Sequence, residues 1–450
     1  MKKSFLFTLL AATSIATNAY SADILGAMSD AYNNNPTLQA GRAYLRAVDE
    51  NVAIAKSGFR PSLAVQGSYS DSHIHNELRD VDDGYDESVS AVARQSIFSG
   101  FSTYNSMKAA KEGVKAEQSN LANVEQQILL EASTAYLNVL RDSSIVELQQ
   151  NNEKLLKKRL DETQERFNVG EVTRTDVSQA QARHSQSISD RIAAEGNLAA
   201  SKAMYIQIVG TNPADLTDPE DLSLLFPNSV EDALASAQAN NYGLKAAKSA
   251  LQAKIHTVNA NTGALLPQVD FEAVASRGQS HASTTKDPET NSFVWGVNMT
   301  VPLYNSGETR AKIRQSKYQK WQAQEQVLEA ERAMISAVNS NWEYMISNKA
   351  RIQSVEDQIK AYEIALDGVQ QEEALGNRTV LDVLDAYQSL LNSNVEKVRA
   401  VRDYYVSGMQ LLMSMGKLTA KDLKLNVDLY DAKQHSKDTA GKWLSISVDK

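Results

Sequence analysis

Residues 292–307 read SFVWGVNMTVPLYNSG. Large apolar side chains occupy every second position, and the positions between them are mostly small or polar, which is typical of a strand with one apolar face. The run is about as long as the ten-residue tilted strands that cross an outer membrane, although a half-buried sheet of a soluble protein gives the same alternation. We expect a membrane strand that turns four side chains toward lipid: Phe293, Trp295, Val297 and Met299.

The chain on both sides of this strand contains long segments without proline. The eight prolines lie at positions 36, 61, 213, 219, 227, 267, 288 and 302. Residues 62–212 and 303–450 therefore contain no proline. Proline inside a helix removes a hydrogen-bond donor and costs about 3 kcal/mol, so its absence from Ala-, Gln- and Glu-rich sequence favours long helices. One predicted helix runs from Phe101 to Asn168, roughly 100 Å. Its heptad-like apolar spacing is typical of helices that pack side by side.

An internal duplication relates the two halves of the chain with an offset of 206 residues, as from Pro61 to Pro267 and from Gly170 to Gly376. Each half is predicted to contain a helix, two strands, a very long helix, a glycine-containing turn and a returning helix. The matching segments are Arg60–Leu63 with Leu266–Val269, Ile97–Gly100 with Leu303–Gly307, and Asn168–Gly170 with Ala374–Gly376.

The beginning of the chain has the pattern of a secretory signal. Lys2 and Lys3 precede a short apolar run, and Ala19-Tyr20-Ser21 is a small-x-small cleavage pattern. The predicted organisation begins with a signal peptide at 1–21 and a first repeat at 22–212, with strands at about 61–72 and 87–99. A linker at 213–228 leads to a second repeat at 229–416, with strands at about 267–281 and 292–304. The C-terminal segment at 417–450 is either a poorly ordered tail or a packing strap.

Composition and motifs exclude several classes of protein. A net charge of −9 without a basic stripe argues against nucleic acid as a partner. The absence of cysteine excludes disulfides and a lipid attached to a cysteine. No Gly-x-Ser-x-Gly elbow and no phosphate-cradling loop are present. We therefore expect no enzyme, no nucleotide and no cofactor.

One cluster of histidine and acidic residues is a candidate metal site. His73 and His75 lie two apart on a possible strand, and Asp80, Asp82 and Asp83 follow in a predicted loop. Metal binding is conceivable there, but the spacing does not fit a calcium loop and a third firm ligand is lacking. A solvated loop tip is the favoured interpretation, and no metal site is predicted.

The predicted strand count requires more than one chain. Four strands cannot close a barrel, and an open sheet edge is not tolerated in lipid. Several copies must therefore share one barrel, and three copies would supply twelve strands.

The arrangement resembles the TolC family of outer-membrane efflux and secretion channels from about Asp23 to Gly416. The resemblance rests on three motifs: Thr134–Leu140, Leu160–Gly170 and Gly376–Ala386. It implies a mixed α and β fold in which tandem-repeat helical hairpins form a periplasmic α-barrel, and four strands per chain join a shared transmembrane β-barrel. It also implies a homotrimer in the outer membrane that extends into the periplasm.

The same resemblance implies how the tunnel closes, by charged and polar links near the glycine-containing turns. Asp161 and Arg378 are the candidate latch, since a guanidinium bridges carboxylates while staying charged. Glu373 stands where the family commonly has a tyrosine, so it either takes part in closure or pairs with a neighbouring lysine or arginine. Arg378 as a solvated cap residue is the alternative.

Two further acidic residues are implied to line the constriction. Asp382 and Asp385 are spaced i, i+3 and so share a helix face. The resemblance implies rings of carboxylates in the tunnel, whereas a capping role at a helix start is the alternative, because the helix dipole favours acids there.

The predicted function is a passive exit duct for type I protein secretion, multidrug efflux or both. A periplasmic adaptor and an inner-membrane transporter are the expected partners, with outer-membrane lipid around the barrel. A soluble periplasmic coiled-coil adaptor or structural spacer is the alternative, but it explains neither the apolar strand face nor the duplicated strand pairs.

Overall fold

The computed structural model describes residues 23–76, 79–214, 216–282, 289–439, 441–443 and 445–447, so the predicted signal peptide lies outside the described residues. The helices are α1 (Ile24–Asn34), α2 (Pro36–Ser57), α3 (Ser102–Asn168), α4 (Arg174–Val209), α5 (Val230–Asn240), α6 (Tyr242–Gly263), α7 (Glu308–Ala374), α8 (Val380–Ser414) and α9 (Gln434–Thr439). The strands are β1 (Ser62–Asn76), β2 (Arg79–Ser99), β3 (Gln268–Ala282) and β4 (Glu289–Thr300), and a 3-10 turn spans Glu220–Leu225.

Two very long helices give the molecule its length. Helices α3 and α7 have 67 residues each, which corresponds to roughly 100 Å. Each turns back at a glycine with a left-handed backbone, Gly170 (φ 81°) or Gly376 (φ 79°), into a return helix of 36 or 35 residues. The predicted fold of paired long hairpins with four strands is confirmed, including the predicted helix at Phe101 to Asn168, which begins one residue later.

The side chain of an asparagine at the same position of each repeat joins two helices. The side-chain oxygen of Asn35 accepts the N–H of Thr37 at the start of α2, and its amide donates to the carbonyl of Ile208 near the end of α4. Asn241 does the same at the start of α6, with Ser414 as the acceptor at the end of α8. One side chain thus caps the start of one helix and donates a hydrogen bond to a backbone carbonyl at the end of another.

The four strands form one antiparallel sheet in the order β1-β2-β3-β4. Residues directly opposite one another share a face. Leu63, Ala93, Ala273 and Trp295 form one such row, and Val65, Ala91, Ala275 and Phe293 form the next. The opposite face carries the Arg94–Glu272 ion pair (3.2 Å) and the Ser276–Ser292 hydroxyl pair (2.7 Å). The sheet therefore has one apolar and one polar face.

The strands differ from the predicted ranges at several ends. Strand β1 continues to Asn76 instead of about residue 72, and β4 begins at Glu289 instead of about residue 292. Strand β2 begins at Arg79, whereas a loop was expected before about residue 87. The ladder is made by backbone groups, so the acidic side chains that suggested a loop do not interrupt it. Strand β4 ends at Thr300 instead of about residue 304, because Pro302 has no N–H to donate to a ladder.

The C-terminal segment is a packing strap, one of the two predicted alternatives. Leu418 and Ala420 are fully buried in the main core, which lies midway along the long helices. Their backbone N–H groups donate to Gln126 (3.3 Å) and Glu125 (2.8 Å) of α3. Burial raises the pKa of the Glu125 carboxyl.

Candidate closing and membrane sites

A small apolar cluster brings the hairpins together near their tips. Leu156 and Leu160 of α3 pack with Ala180 of α4 and Leu384 of α8, separately from the main core. The cluster fixes the last turns of the long helices relative to each other, so that charged side chains beyond it can meet.

An ion pair joins the ends of the two long helices. Arg166, in the last turn of α3, donates to the Glu373 carboxylate in the last turn of α7, and it also contacts Glu171 at 3.3 Å. The Glu373 side chain is only 11% exposed, so the pair is shielded more than an ordinary surface ion pair. The hydrogen bond from Arg166 to Glu373 raises the pKa of the guanidinium further. Of the two expectations for Glu373, pairing with a nearby arginine is the one observed.

A tyrosine links three helices at a point one to two helical turns further from the tips than the Arg166–Glu373 pair. The hydroxyl of Tyr387 in α8 accepts from Arg159 of α3 at 3.2 Å and from Gln370 of α7. The Arg159 guanidinium also lies 5.6 Å from the centre of the tyrosine ring. Sequence reasoning missed Arg159, Arg166, Gln370 and Tyr387, since no local motif shows which distant residues meet.

The predicted latch residues are not in contact within one chain. Asp161 accepts from Lys157 at 2.7 Å, one turn earlier on α3. Arg378 donates to Glu372 at 2.8 Å, and hydrogen bonding to Glu372 raises its pKa. The side chains of Asp161 and Arg378 are 60% and 50% exposed. A link between them stays a prediction.

The two constriction residues have different partners. Asp382 closes a capping box: its carboxylate accepts from the backbone N–H (2.9 Å) and the hydroxyl (2.8 Å) of Thr379 at the start of α8. These hydrogen bonds lower the pKa of Asp382. Asp385, one turn on, forms an ion pair with Arg183 of α4. The capping alternative thus describes the local geometry of Asp382, and the ring of carboxylates stays a prediction.

The predicted lipid-facing side chains are all exposed in the single chain. Phe293, Trp295, Val297 and Met299 are between 56% and 69% exposed, and Phe271 packs beside Trp295 with ring centres 6.4 Å apart. Toward the hairpin tip, Tyr69, Tyr85 and His281 stack across three strands on the same face. Near the other end of β2, Phe98 meets Phe101 edge to face at 5.2 Å. Aromatic groups at both ends of an apolar face are typical of a membrane sheet.

Two remaining expectations concern metals and membrane helices. The side chains of His73, His75, Asp80, Asp82 and Asp83 lie outside the described residues. Among the described side chains no group of three or more histidine or acidic residues is placed to hold a metal ion. Within the same part of the chain no helix has the length and apolar character needed to cross a membrane.

Long paired helical hairpins, joined to a sheet with one apolar and one polar face, define a class of outer-membrane channel. Comparison with known proteins identifies the family. The model of the family described as "Outer membrane efflux protein" matches residues 27–211 and 233–417. The chain belongs to this family of outer-membrane efflux and secretion channels, whose members are not enzymes and extend from the outer membrane into the periplasm.

Individual relatives cover nearly the whole chain. The outer membrane efflux protein BepC of Brucella suis biovar 1 (strain 1330) is 37% identical over 428 residues, which is 95% of this chain and 92% of BepC. TolC of Escherichia coli (strain K12) is 24% identical over 87% of this chain and 81% of its own. Among solved structures, CusC superposes with a TM-score of 0.79 at 16% identity, covering 90% of this chain and 95% of CusC, which shows the shared fold.

Proposed function

We propose that the chain works as a homotrimeric exit duct. The observation that carries this proposal is the open four-stranded sheet, whose outer strands β1 and β4 have no further strand beside them in the described part of the chain. A sheet with an apolar face cannot leave such edges unpaired in lipid, and pairing β1 of one copy with β4 of the next closes a barrel.

The duct is passive and depends on partners for energy. A periplasmic adaptor and an inner-membrane transporter supply the driving force and open the periplasmic end. The cargo is small toxic compounds, exported proteins or both, because the chain is similar to the efflux protein BepC and, at 23% identity, to the alkaline protease secretion protein AprF of Pseudomonas aeruginosa.

The tips of the hairpins close the duct at rest. Within each chain, Arg166–Glu373 and the Tyr387 hydrogen bonds hold α3, α7 and α8 together. Between chains, Arg378 and Asp161 form the latch, and Asp382 with Asp385 lines the constriction. Several weak links favour the closed state only modestly, so a docking partner can shift the equilibrium.

Detergent extraction of outer membranes tests whether the chain forms a trimeric duct. Detergent extracts should contain a heat-modifiable trimer that forms ion-conducting channels in planar bilayers, and crosslinking in cells should recover an adaptor and a transporter. Release of the mature protein by osmotic shock, or a monomer in detergent, would contradict the proposal.

A further inference from the structure

The C-terminal strap carries two large apolar side chains that the described part of the chain leaves uncovered. Trp443 is 65% exposed and Ile446 is 99% exposed. The first part of the strap is well packed, with Leu418, Leu423 and Leu425 buried, although Leu429 is 54% exposed. The exposed end therefore needs an explanation other than general disorder of the segment.

The contacts of the strap direct this end toward the sheet. His435 of α9 meets the buried Asp49 carboxylate of α2, with Nδ1 and Oδ2 3.1 Å apart. Helix α2 ends at Ser57, just before β1. Beyond α9 the strap reaches Arg60, which donates to the carbonyl of Lys442 at 3.2 Å and stacks on the Trp443 ring at 4.5 Å. Trp443 is thus held at the junction of helices and sheet.

The same junction carries other exposed apolar side chains. Phe59, Ile97 and Phe101 are 50%, 60% and 59% exposed, and they lie where α2 ends, β2 ends and α3 begins. Aromatic side chains at the ends of membrane strands occupy the boundary between acyl chains and head groups. With the sheet placed across the membrane as proposed above, the indole of Trp443 lies at the level of this boundary, on the side of the sheet from which the helices extend.

Positive charge accompanies the exposed ring. Arg60 lies against the indole, and Lys442 precedes it in the chain. A tryptophan beside lysine and arginine is the combination that anchors proteins at membrane surfaces, since the ring enters the boundary while the cations meet phosphate groups.

We propose that Trp443 and Ile446 insert into the periplasmic leaflet of the outer membrane, where Arg60 and Lys442 contact phospholipid head groups. The strap then connects the core midway along the long helices to the membrane surface. This inference rests on the proposed placement of the sheet across the membrane.

Lipid quenching of single-tryptophan variants tests the inference. The chain has four tryptophans, at 295, 321, 342 and 443. Three variants are made in the full-length protein, each with three tryptophans changed to phenylalanine, so that only Trp443, Trp295 or Trp342 remains. Trimers are confirmed for each and reconstituted in vesicles of phosphatidylcholine with brominated acyl chains. Trp342, which packs against the main core, is the matched control that lipid should not reach.

We expect brominated lipid to reduce the emission of Trp443 and of Trp295, and to leave Trp342 unchanged. Quenching of Trp295 without quenching of Trp443 overturns the inference and leaves the duct intact. In that case quenching of Trp443 by aqueous acrylamide would identify a solvent-exposed end, and protection from acrylamide would identify a neighbouring protomer as the cover. Absence of quenching at Trp295 overturns the placement of the sheet, and with it the inference.

Discussion

Arg166 and Glu373 form an ion pair that ties the tip of the first hairpin to the tip of the second. The two residues are nearly equivalent in the duplication, but the exact counterpart of Arg166 is Glu372 and that of Glu373 is Phe167. The equivalent positions in the duplication, Glu372 and Phe167, therefore do not form a second ion pair of this kind. A cross-repeat link of this kind restrains the long helices relative to one another at the end where we propose that the duct closes.

Removing either partner should loosen the closed state. Arg166→Gln and Glu373→Gln are each expected to raise single-channel conductance in planar bilayers, and the double variant should add little to either single change, with a coupling of roughly 0.5–1 kcal/mol per protomer. Glu308→Gln, which removes the Lys312 ion pair at the opposite end of α7, is the matched control. Strict additivity of the two changes would show that the pair does not restrain opening.

The proposed latch between Arg378 and Asp161 of neighbouring protomers can be tested separately. Arg378→Ser should raise conductance and sensitise cells to bulky antibiotics without reducing the amount of trimer, because a charge-assisted hydrogen bond that favours the closed state is lost. Asp161→Ala should act in the same direction and be less than additive with it. Glu372→Gln separates the alternatives: if this change alone reproduces Arg378→Ser, the arginine acts through its partner in the same chain and not through Asp161.

The acidic residues at the start of α8 should control ion selectivity. Replacing Asp382 and Asp385 with alanine is expected to weaken cation selectivity and block by multivalent cations from the periplasmic side, because a ring of carboxylates in a narrow opening concentrates negative potential. Asp176→Ala is the control, since Asp176 makes the equivalent capping box at the start of α4. If the changes at Asp176 and Asp382 had equal effects on ion selectivity and block, Asp382 would act only as a helix cap, as Asp176 does.

The capping box also predicts a pH dependence. Hydrogen bonds from Thr379 lower the pKa of Asp382 below its ordinary value of 3.8. A carboxyl with a lowered folded pKa stabilises the folded state above its unfolded pKa, and this contribution disappears as pH falls through the folded pKa. Hydrogen exchange at the start of α8, corrected for intrinsic rates, should therefore stay slow at pH 3.8 and increase only below it. Asp382→Asn should remove this dependence, and an unchanged profile in that variant would contradict the assignment.

The sequence predicted the long helices and the apolar strand because both follow from local periodicity. Gly170 and Gly376 predicted the turns because glycine readily adopts the left-handed backbone that ends a helix. The partners at the tips were not predictable in this way, since Arg166 and Glu373 are 207 residues apart and nothing local specifies the approach of two hairpins. The strap was ambiguous because its residues pack as an irregular segment, without the period of a helix or a strand.

The apolar face of the sheet predicts a contrast between neighbouring positions. Trp295→Arg or Val297→Arg should impair trimer insertion, because a lipid-facing cation near the membrane centre costs about 2–4 kcal/mol. Asn298→Arg should be milder, since Asn298 lies on the other face directly opposite Asp270, which offers an opposite charge. The yield of heat-modifiable trimer in outer-membrane fractions measures the effect. Equal losses at both faces would show that the lipid-facing side is wrongly assigned.

The junction between the repeats predicts that replacing either of two glycines is destabilising. A Cβ atom at Gly100 would lie 2.1 Å from the carbonyl oxygen of Gly263, and a Cβ atom at Gly263 would lie 2.2 Å from that of Gly100. The end of α6 thus touches the turn that starts α3, where Gly100 also has a left-handed backbone (φ 60°). Both contacts are to backbone, which cannot move aside as a flexible side chain does.

Gly100→Ala and Gly263→Ala should each destabilise the trimer by about 1–3 kcal/mol, because the added methyl group forces the two repeats apart. The temperature at which the trimer dissociates in detergent is the measurement. Gly113→Ala in α3 is the matched control: nothing lies within 4 Å of the added atom, and alanine is the better helix former by about 1 kcal/mol. It should leave the transition unchanged or raise it. If the trimers of Gly100→Ala and Gly263→Ala dissociated at the same temperature as that of Gly113→Ala, the two repeats would not approach each other as closely as in the structure.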